Sequence, residues 1–203
     1  MRVTTGLNST TPLGNAAVEL GWKYPGEPFG NPGRLIASGT TADDGSVSFS
    51  FKAKPNELQG GKFYVTAKNG NDYFVQENSY YGIQRYDSIV TANIHVPGKA
   101  TIKIIYKNFT PVTADDAFEC SPRFLTYGSN VFGVEMKKAD GQSSNTFFLG
   151  KDNPFTSLEL TGTTAGNQYT WFTILKKKNG VRVDLQDSIY IEKGQTKTYE
   201  IDY

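Results

Sequence analysis

Apolar and polar residues alternate along much of this chain with a period of two, the pattern of half-buried β-strands. The clearest case is residues 46–51, where a valine and two phenylalanines alternate with serines directly after Asp43-Asp44-Gly45. Glycine accepts a positive φ without steric cost, so this turn signal predicts a hairpin in which residues 34–42 pair with residues 46–53. The predicted core-facing side chains are Val47, Phe49 and Phe51.

The alternation continues through both halves of the chain. Residues 63–67 and 100–106 alternate, and residues 169–174 lead into Lys178-Asn179-Gly180 with a further alternating run at 181–185. Asn-Gly is a strong hairpin signal, because both residues tolerate the left-handed region that a type I′ turn requires. No segment shows capped helical periodicity. The chain is therefore predicted to be all-β.

Length and composition favour two domains. The 203 residues can bury one large core or two small ones, and strand-length segments favour two domains of about 100 residues each. The 13 Phe and 12 Tyr suit pleated strands, and the 21 Gly suit turns. Pro97-Gly98 closes the first set of strands. We therefore predict two tandem β-sandwiches, residues 1–97 and residues 98–203.

Charge and cysteine content exclude some partners. The 21 Lys and Arg against 20 Asp and Glu leave a net charge of +1, which offers no footprint for nucleic acid or an anionic membrane. The single cysteine, Cys120, cannot form an intrachain disulfide, so the redox compartment stays open. No apolar run approaches the roughly 18 residues of a membrane span, and residues 1–4 lack signal-peptide features. An export signal or lipid anchor upstream remains open.

Three motifs occur in order in the first half. Residues 12–20 read PLGNAAVEL, residues 40–49 read TTADDGSVSF and residues 63–67 read FYVTA. Together they resemble the carboxypeptidase regulatory-like, transthyretin-like domain, which implies a transthyretin-like (prealbumin-like) sandwich over residues 1–97. An immunoglobulin-like sandwich is expected for residues 98–203. The whole arrangement resembles small Bacteroidetes surface lipoproteins, which implies a place in the cell envelope or outside the cell, as an outer-membrane lipoprotein with its signal removed.

Few residues could support catalysis or bind a metal. The only histidine, His95, sits in a predicted strand just before Pro97, where a strand-face histidine is favoured over a catalytic one. One His and one Cys cannot build the usual zinc site. Asp43-Asp44 and Asp115-Asp116 could begin a hard-cation site, but a turn explains the first pair and a solvated loop the second. We predict no enzyme, no cofactor and no metal.

Aromatic residues concentrate around two predicted loops that a sandwich does not require. One is the Pro/Gly-rich loop at residues 24–33, and the other is residues 71–86. Exposed aromatic rings on such loops can stack on sugars or anchor a protein partner, but core or strand-edge packing is favoured both for Trp22 and for the aromatics of residues 73–86. The candidate ligand contacts are Trp22, Tyr24, Phe29, Tyr80, Tyr81 and Tyr86.

The favoured function is a non-catalytic cell-envelope module for adhesion, assembly or ligand presentation, with a protein or a glycan at the cell surface as its partner. This expectation rests on analogy between folds. Three alternatives stay open. Exposed coplanar aromatics would favour a glycan-binding accessory protein of a polysaccharide-uptake system, an open groove or donor strand would favour a pilin-like assembly subunit, and a cleft with convergent carboxylates would favour an enzyme.

Overall fold

The computed structural model describes residues 1–24, 33–80, 89–127, 131–139, 141, 146–151 and 153–203, with the backbone alone at 78–80 and 131–132. Apart from one five-residue helix and a 3₁₀ turn, the regular structure of these residues is β, so the all-β prediction is confirmed. The chain divides into two compact units, Met1–Pro97 and Gly98–Tyr203.

The first unit is a sandwich of two sheets. Its elements are β1 Arg2–Thr5, a 3₁₀ turn Leu7–Ser9, β2 Thr11–Pro12, β3 Ala17–Lys23, β4 Arg34–Thr40, α1 Pro55–Gln59, β5 Lys62–Lys68, β6 Gln76–Tyr80 and β7 Asn93–His95. The strand orders are β2-β1-β7 and β4-β3-β5-β6. Apolar residues from both sheets meet in one core, among them Val3, Val18, Val65 and Ile94.

The segment after Asp43-Asp44-Gly45 does not form the predicted hairpin. The turn itself is present, since Gly45 has φ 76° and the Ser46 amide donates to Asp44 Oδ1 at 2.9 Å. Residues 47–53 then join no sheet, because Met1 takes the backbone groups of Val47 in hydrogen bonds of 2.9 and 3.1 Å. The alternation still sets burial, and the predicted core-facing residues Val47, Phe49 and Phe51 pack on the core.

The second unit is also a sandwich. Its strands are β8 Gly98–Phe109, β9 Ala117–Leu125, β10 Val131–Gly133, β11 Met136–Lys138, β12 Phe147–Leu149, β13 Phe155–Gly166, β14 Gln168–Lys178, β15 Val181–Ile191 and β16 Thr196–Asp202. The orders are β11-β13-β8-β16 and β10-β9-β14-β15, with β12 also on β9. Ile104 and Leu160 of the first sheet face Phe118 and Phe172 of the second across one core.

The hairpin of β14 and β15 confirms the prediction from Lys178-Asn179-Gly180. Asn179 and Gly180 have φ of 52° and 81°, as a two-residue type I′ turn requires. Lys178 pairs with Val181, and the register runs without a shift to the pair of Gln168 with Ile191. The turn therefore fixes which residues of the two strands share a face.

Candidate binding site

Trp22, one of the predicted ligand contacts, lies in the core of the first unit. Its side chain is 5% exposed and belongs to a cluster with Ala53 and Phe63. The indole N–H donates to the Gly60 carbonyl at 3.1 Å. Of the two interpretations that the sequence left open for Trp22, core packing describes its position.

The other predicted contacts lie at or beyond the ends of described segments. Tyr24 is 42% exposed, and its ring meets Trp22 edge-on with centroids 4.5 Å apart. Tyr80 ends β6, where the backbone alone is described. Phe29, Tyr81 and Tyr86 lie outside the described residues. A ligand site on these two loops therefore stays a prediction.

An aromatic cluster that the sequence analysis did not single out lies on the outer face of the second unit. It consists of Tyr169 and Trp171 on β14 and Tyr190 on β15. The side chains are 40%, 49% and 40% exposed, respectively. The ring of Tyr169 lies 5.9 Å from that of Trp171 and 5.4 Å from that of Tyr190, between centroids. Three adjoining rings thus face solvent from one rigid sheet.

The two-residue turn explains why these rings face outward. Residues directly opposite in an antiparallel pair share a face, and Leu185 lies opposite Ile174, which is buried. The alternate positions, including Tyr169 opposite Tyr190, must then point away from the core. Both faces of β14 carry apolar residues, so its own pattern could not choose between them. The turn register, which was readable from the sequence, could have done so.

Polar side chains border the aromatic cluster. In the register of the sheet, Trp171 lies between Arg123 of β9 and Ser188 of β15. The next row on the same face places Thr173 between Ser121 and Gln186. The ring planes are tilted by 43° and 71° rather than coplanar. The surface can therefore combine ring contacts with hydrogen bonds, but it does not form a flat platform.

Tyr199 and Asp187 tie the far half of β15 to the opposite sheet. The Tyr199 ring stacks on Phe172 with centroids 4.1 Å apart, and its hydroxyl donates to Asp187 Oδ2 at 2.5 Å. This hydrogen bond, with one from the Ser188 amide, lowers the pKa of Asp187, while burial and the same hydrogen bond raise the pKa of Tyr199. The contact fixes the strand segment that carries Tyr190.

Asp116 fixes the turn between β14 and β15. Its side chain is fully buried and accepts hydrogen bonds from the amides of Val112 and Asn179 at 2.7 and 2.8 Å. The amide and hydroxyl of Thr113 also donate to it, at 3.1 and 2.7 Å. These bonds, led by that of Val112, lower the pKa of Asp116 to about 2. The predicted solvated loop is therefore wrong for Asp116, because four donors converge on its carboxylate.

The two groups most prone to reaction, His95 and Cys120, are buried. Burial lowers the pKa of His95 to about 4, so the imidazole is neutral at pH 7. Burial raises the pKa of the Cys120 thiol to about 12, which keeps it protonated. Within the described ranges, no cluster of three or more His, Cys, Asp or Glu residues could hold a metal ion. In the same residues, no helix is long and apolar enough to cross a membrane.

Comparison with known proteins gives distant likenesses only. No family model matches the chain, and no curated protein matches it. The shaft pilin SpaA from Lactobacillus rhamnosus GG is 13% identical, with a TM-score of 0.31 over 98% of this chain and 95% of that one. Two further structures each cover all of this chain and are themselves covered over 92% of their length.

One of them is a candidate cell adhesion protein from Bacteroides fragilis NCTC 9343, 10% identical with a TM-score of 0.24. The other is CBMbc, of family CBM26, from Eubacterium rectale Amy13K in complex with maltoheptaose, 11% identical with a TM-score of 0.25. Likenesses this distant carry no argument about function. The resemblance of residues 1–97 to the carboxypeptidase regulatory-like domain stays a prediction.

Proposed function

We propose that this chain is a non-catalytic binding module of the cell surface, and that Tyr169, Trp171 and Tyr190 contact its ligand. The observation that supports this proposal is the exposure of three adjoining rings on one sheet face, each at least 40% exposed. Such a patch adds nothing to the core beneath it, and exposed apolar patches commonly mark interaction sites. A paired sheet also holds the backbone beneath the rings in place, so little conformational entropy is lost when a ligand binds them.

The ligand class that fits this surface best is a carbohydrate. Aromatic rings offer apolar faces for the C–H side of a sugar, and hydroxyl, amide and guanidinium groups beside them can bond its hydroxyls. Ser188, Gln186 and Arg123 supply these groups on the same face. Because the rings are tilted, the surface suits one or two sugar units rather than a flat polysaccharide chain.

The environment of the buried carboxylates supports a non-catalytic role. Glu57 is held by two ion-pair contacts to Arg34, at 2.6 and 2.7 Å, and accepts a hydrogen bond from the Lys54 amide at 2.8 Å. Asp116 is held by its four donors. An acid or base in catalysis must instead reach the substrate proton. Localisation as an outer-membrane lipoprotein stays a prediction, as does the alternative of a pilin-like assembly subunit.

A glycan array followed by calorimetry on the full chain tests this function. We expect Trp171→Ala to weaken glycan binding by about fivefold or more, since an anchoring aromatic contributes at least about 1 kcal/mol. Tyr24→Ala removes an equally exposed ring in the first unit and is the matched control. Binding that survives Trp171→Ala but is lost with Tyr24→Ala would move the site to the loops. An array without any bound glycan would overturn the carbohydrate assignment.

A further inference from the structure

β15 is a long strand that, within the described residues, is paired on one side only. It ends the order β10-β9-β14-β15, and no strand of the described chain pairs with its other edge. The two residues that flank a two-residue turn form a hydrogen-bonded pair, here Lys178 and Val181. Because hydrogen-bonded and non-hydrogen-bonded pairs alternate, the odd-numbered residues of β15 hydrogen-bond to β14. The N–H and C=O groups of the even-numbered residues therefore point toward the free edge.

The first half of this edge lacks three of the features that usually block strand pairing. Natural sheets protect their edges with prolines, bulges and charged side chains, above all charges that point inward. Residues 181–186 contain no proline, keep an unbroken register with β14, and carry apolar side chains at every inward position. Those inward residues, Val181, Val183 and Leu185, are 65%, 45% and 42% exposed. Asp187 is the first inward charge, and Tyr199 binds it.

The outward side of the same segment carries one charge of each sign. Arg182 and Asp184 form a bidentate ion pair along the strand, with Nε and Nη2 at 2.8 and 2.9 Å from the carboxylate oxygens. Both side chains are more than half exposed. A second strand in antiparallel orientation could therefore present the opposite sign at each position.

We propose that β15 pairs with β15 of a second copy of this chain, antiparallel, about a two-fold axis at Val183. In this register Val183 meets its own copy, and Val181 meets Leu185 of the second copy. Arg182 lies opposite Asp184 of the second copy, and Asp184 lies opposite Arg182 of the second copy. Opposite residues share a face, so apolar side chains meet on the inner face and unlike charges meet on the outer face.

The charges select this register over its neighbours. A two-fold axis at Arg182 or at Asp184 would place that charge opposite its own copy, and like charges directly opposite destabilise a strand pair. An axis at Leu185 would place Val183 opposite Asp187. Only the axis at Val183 matches both faces of residues 181–185. A two-fold contact also closes on itself, so it produces dimers rather than filaments.

The pairing would place two copies of the aromatic cluster on one continuous sheet face. Two linked sites on a single surface bind a multivalent ligand with raised avidity. This consequence rests on the proposed function, whereas the pairing itself does not. A failure of glycan binding would therefore leave the dimer intact, and loss of the dimer would leave binding by a single site intact.

Cysteine cross-linking of the full chain tests the two-fold axis. Val183→Cys places two thiols opposite each other at a close, non-hydrogen-bonded position, so we expect a disulfide-linked dimer on mild oxidation. Val181→Cys and Leu185→Cys are the matched controls: neither should cross-link alone, but an equimolar mixture of the two should. Cys120 is buried and does not compete. Cross-linking of Val183→Cys no faster than Val181→Cys would overturn the proposal.

A charge swap in the Val183→Cys background tests the register independently. Arg182→Asp or Asp184→Arg alone puts like charges opposite each other, and we expect each to slow cross-linking by about tenfold. The double variant R182D/D184R restores unlike pairs and should restore the rate. Circular dichroism confirms that every variant is folded. Single variants without effect, or a double variant that fails to recover, would contradict the proposed register.

Discussion

Two segments of this chain each follow a turn that contains a glycine with positive φ and carry the same alternation, yet they differ in pairing and burial. Residues 46–53 follow Asp43-Asp44-Gly45. Ser46 makes a single bridge to Arg2, residues 47–53 join no sheet, and their apolar side packs on the core. β15 follows Asn179-Gly180 and pairs along its whole length, yet residues 181–187 remain exposed on both faces. Alternation therefore determines which side chains share a face, while pairing and burial depend on what the rest of the chain supplies.

The physical cause differs in the two cases. Met1 bonds both backbone groups of Val47, so these groups do not pair with β4. In the second unit, Tyr199 of β16 covers Phe172 and reaches Asp187. The earlier residues of β15 receive no such cover within the described chain, as the exposure of Val181 shows.

The largest expected difference is between the two turn glycines. In Gly45→Val, the new Cβ would lie 2.4 Å from the Val3 carbonyl oxygen at a φ of 76°. We expect a loss of about 3 kcal/mol or more in the free energy of unfolding, from clash and backbone strain together. Gly180→Val meets nothing within 4 Å and should lose about 1 to 2 kcal/mol through its φ alone. Urea titrations measure both, and equal losses would contradict the comparison.

The next difference is between the apolar residues of the two segments. Phe49 is half-buried against the core of the first unit, whereas Leu185 is 42% exposed. We expect Phe49→Ala to cost about 2 to 4 kcal/mol, below the full cost of a core phenylalanine. Leu185→Ala should change stability by about 0.5 kcal/mol or less, as exposed positions do. A neutral Phe49→Ala would mean that the faces of residues 46–53 are wrongly assigned.

Acid should weaken the hydrogen bonds by which Asp116 holds the turn between β14 and β15. The pKa of Asp116 is about 2 in the folded chain, and an unfolded aspartate has a pKa of about 4. The unfolded chain therefore binds the proton first, so the stabilisation is complete above about pH 4 and is lost as pH falls toward 2. We expect Asp116→Asn to lower Tm at pH 7 and to flatten the fall in Tm between pH 4 and 2. Parallel curves for both proteins would exclude this role.

The smallest effect on folding is expected from expressing the two units as separate fragments. Residues 1–97 and residues 98–203 should each fold when expressed alone, because each unit has its own core. Thermal unfolding followed by circular dichroism should show one cooperative transition for each fragment. Two fragments that both remain unfolded would indicate that neither core is sufficient.

The sequence predicted those features that depend on local chemistry. The strands predicted at residues 63–67 and 100–106 and the Asn179-Gly180 hairpin follow from alternation and turn residues, as does the position of His95 in a strand. It could not predict that residues 47–53 stay outside the sheets, because the residue that hydrogen-bonds to the backbone of Val47 is Met1, which lies far away in the sequence. The four donors to Asp116 were equally hidden, since they come from residues 112–113 and residue 179.

The candidate site was predictable only in part. Exposed aromatics were one of two interpretations of the loops: Tyr24 is exposed, and Trp22 packs in the core, the interpretation that the sequence favoured. The alternation identified Tyr169 and Trp171 as strand residues. It did not show whether they face the core or solvent, because Phe172 and Ile174 beside them are just as apolar. Which side of such a strand is buried depends on the neighbouring strand and not on the strand itself.

Hydrogen exchange of the β15 amides, followed residue by residue by NMR, tests most directly whether this strand is bonded on one edge only. In dilute protein, we expect slow exchange at Val183 and Leu185, which bond to β14, and fast exchange at Arg182 and Asp184, which face the free edge. At high concentration, the amides of Arg182 and Asp184 should gain protection as the second copy binds. Uniform protection of all four amides in dilute protein would contradict a free edge.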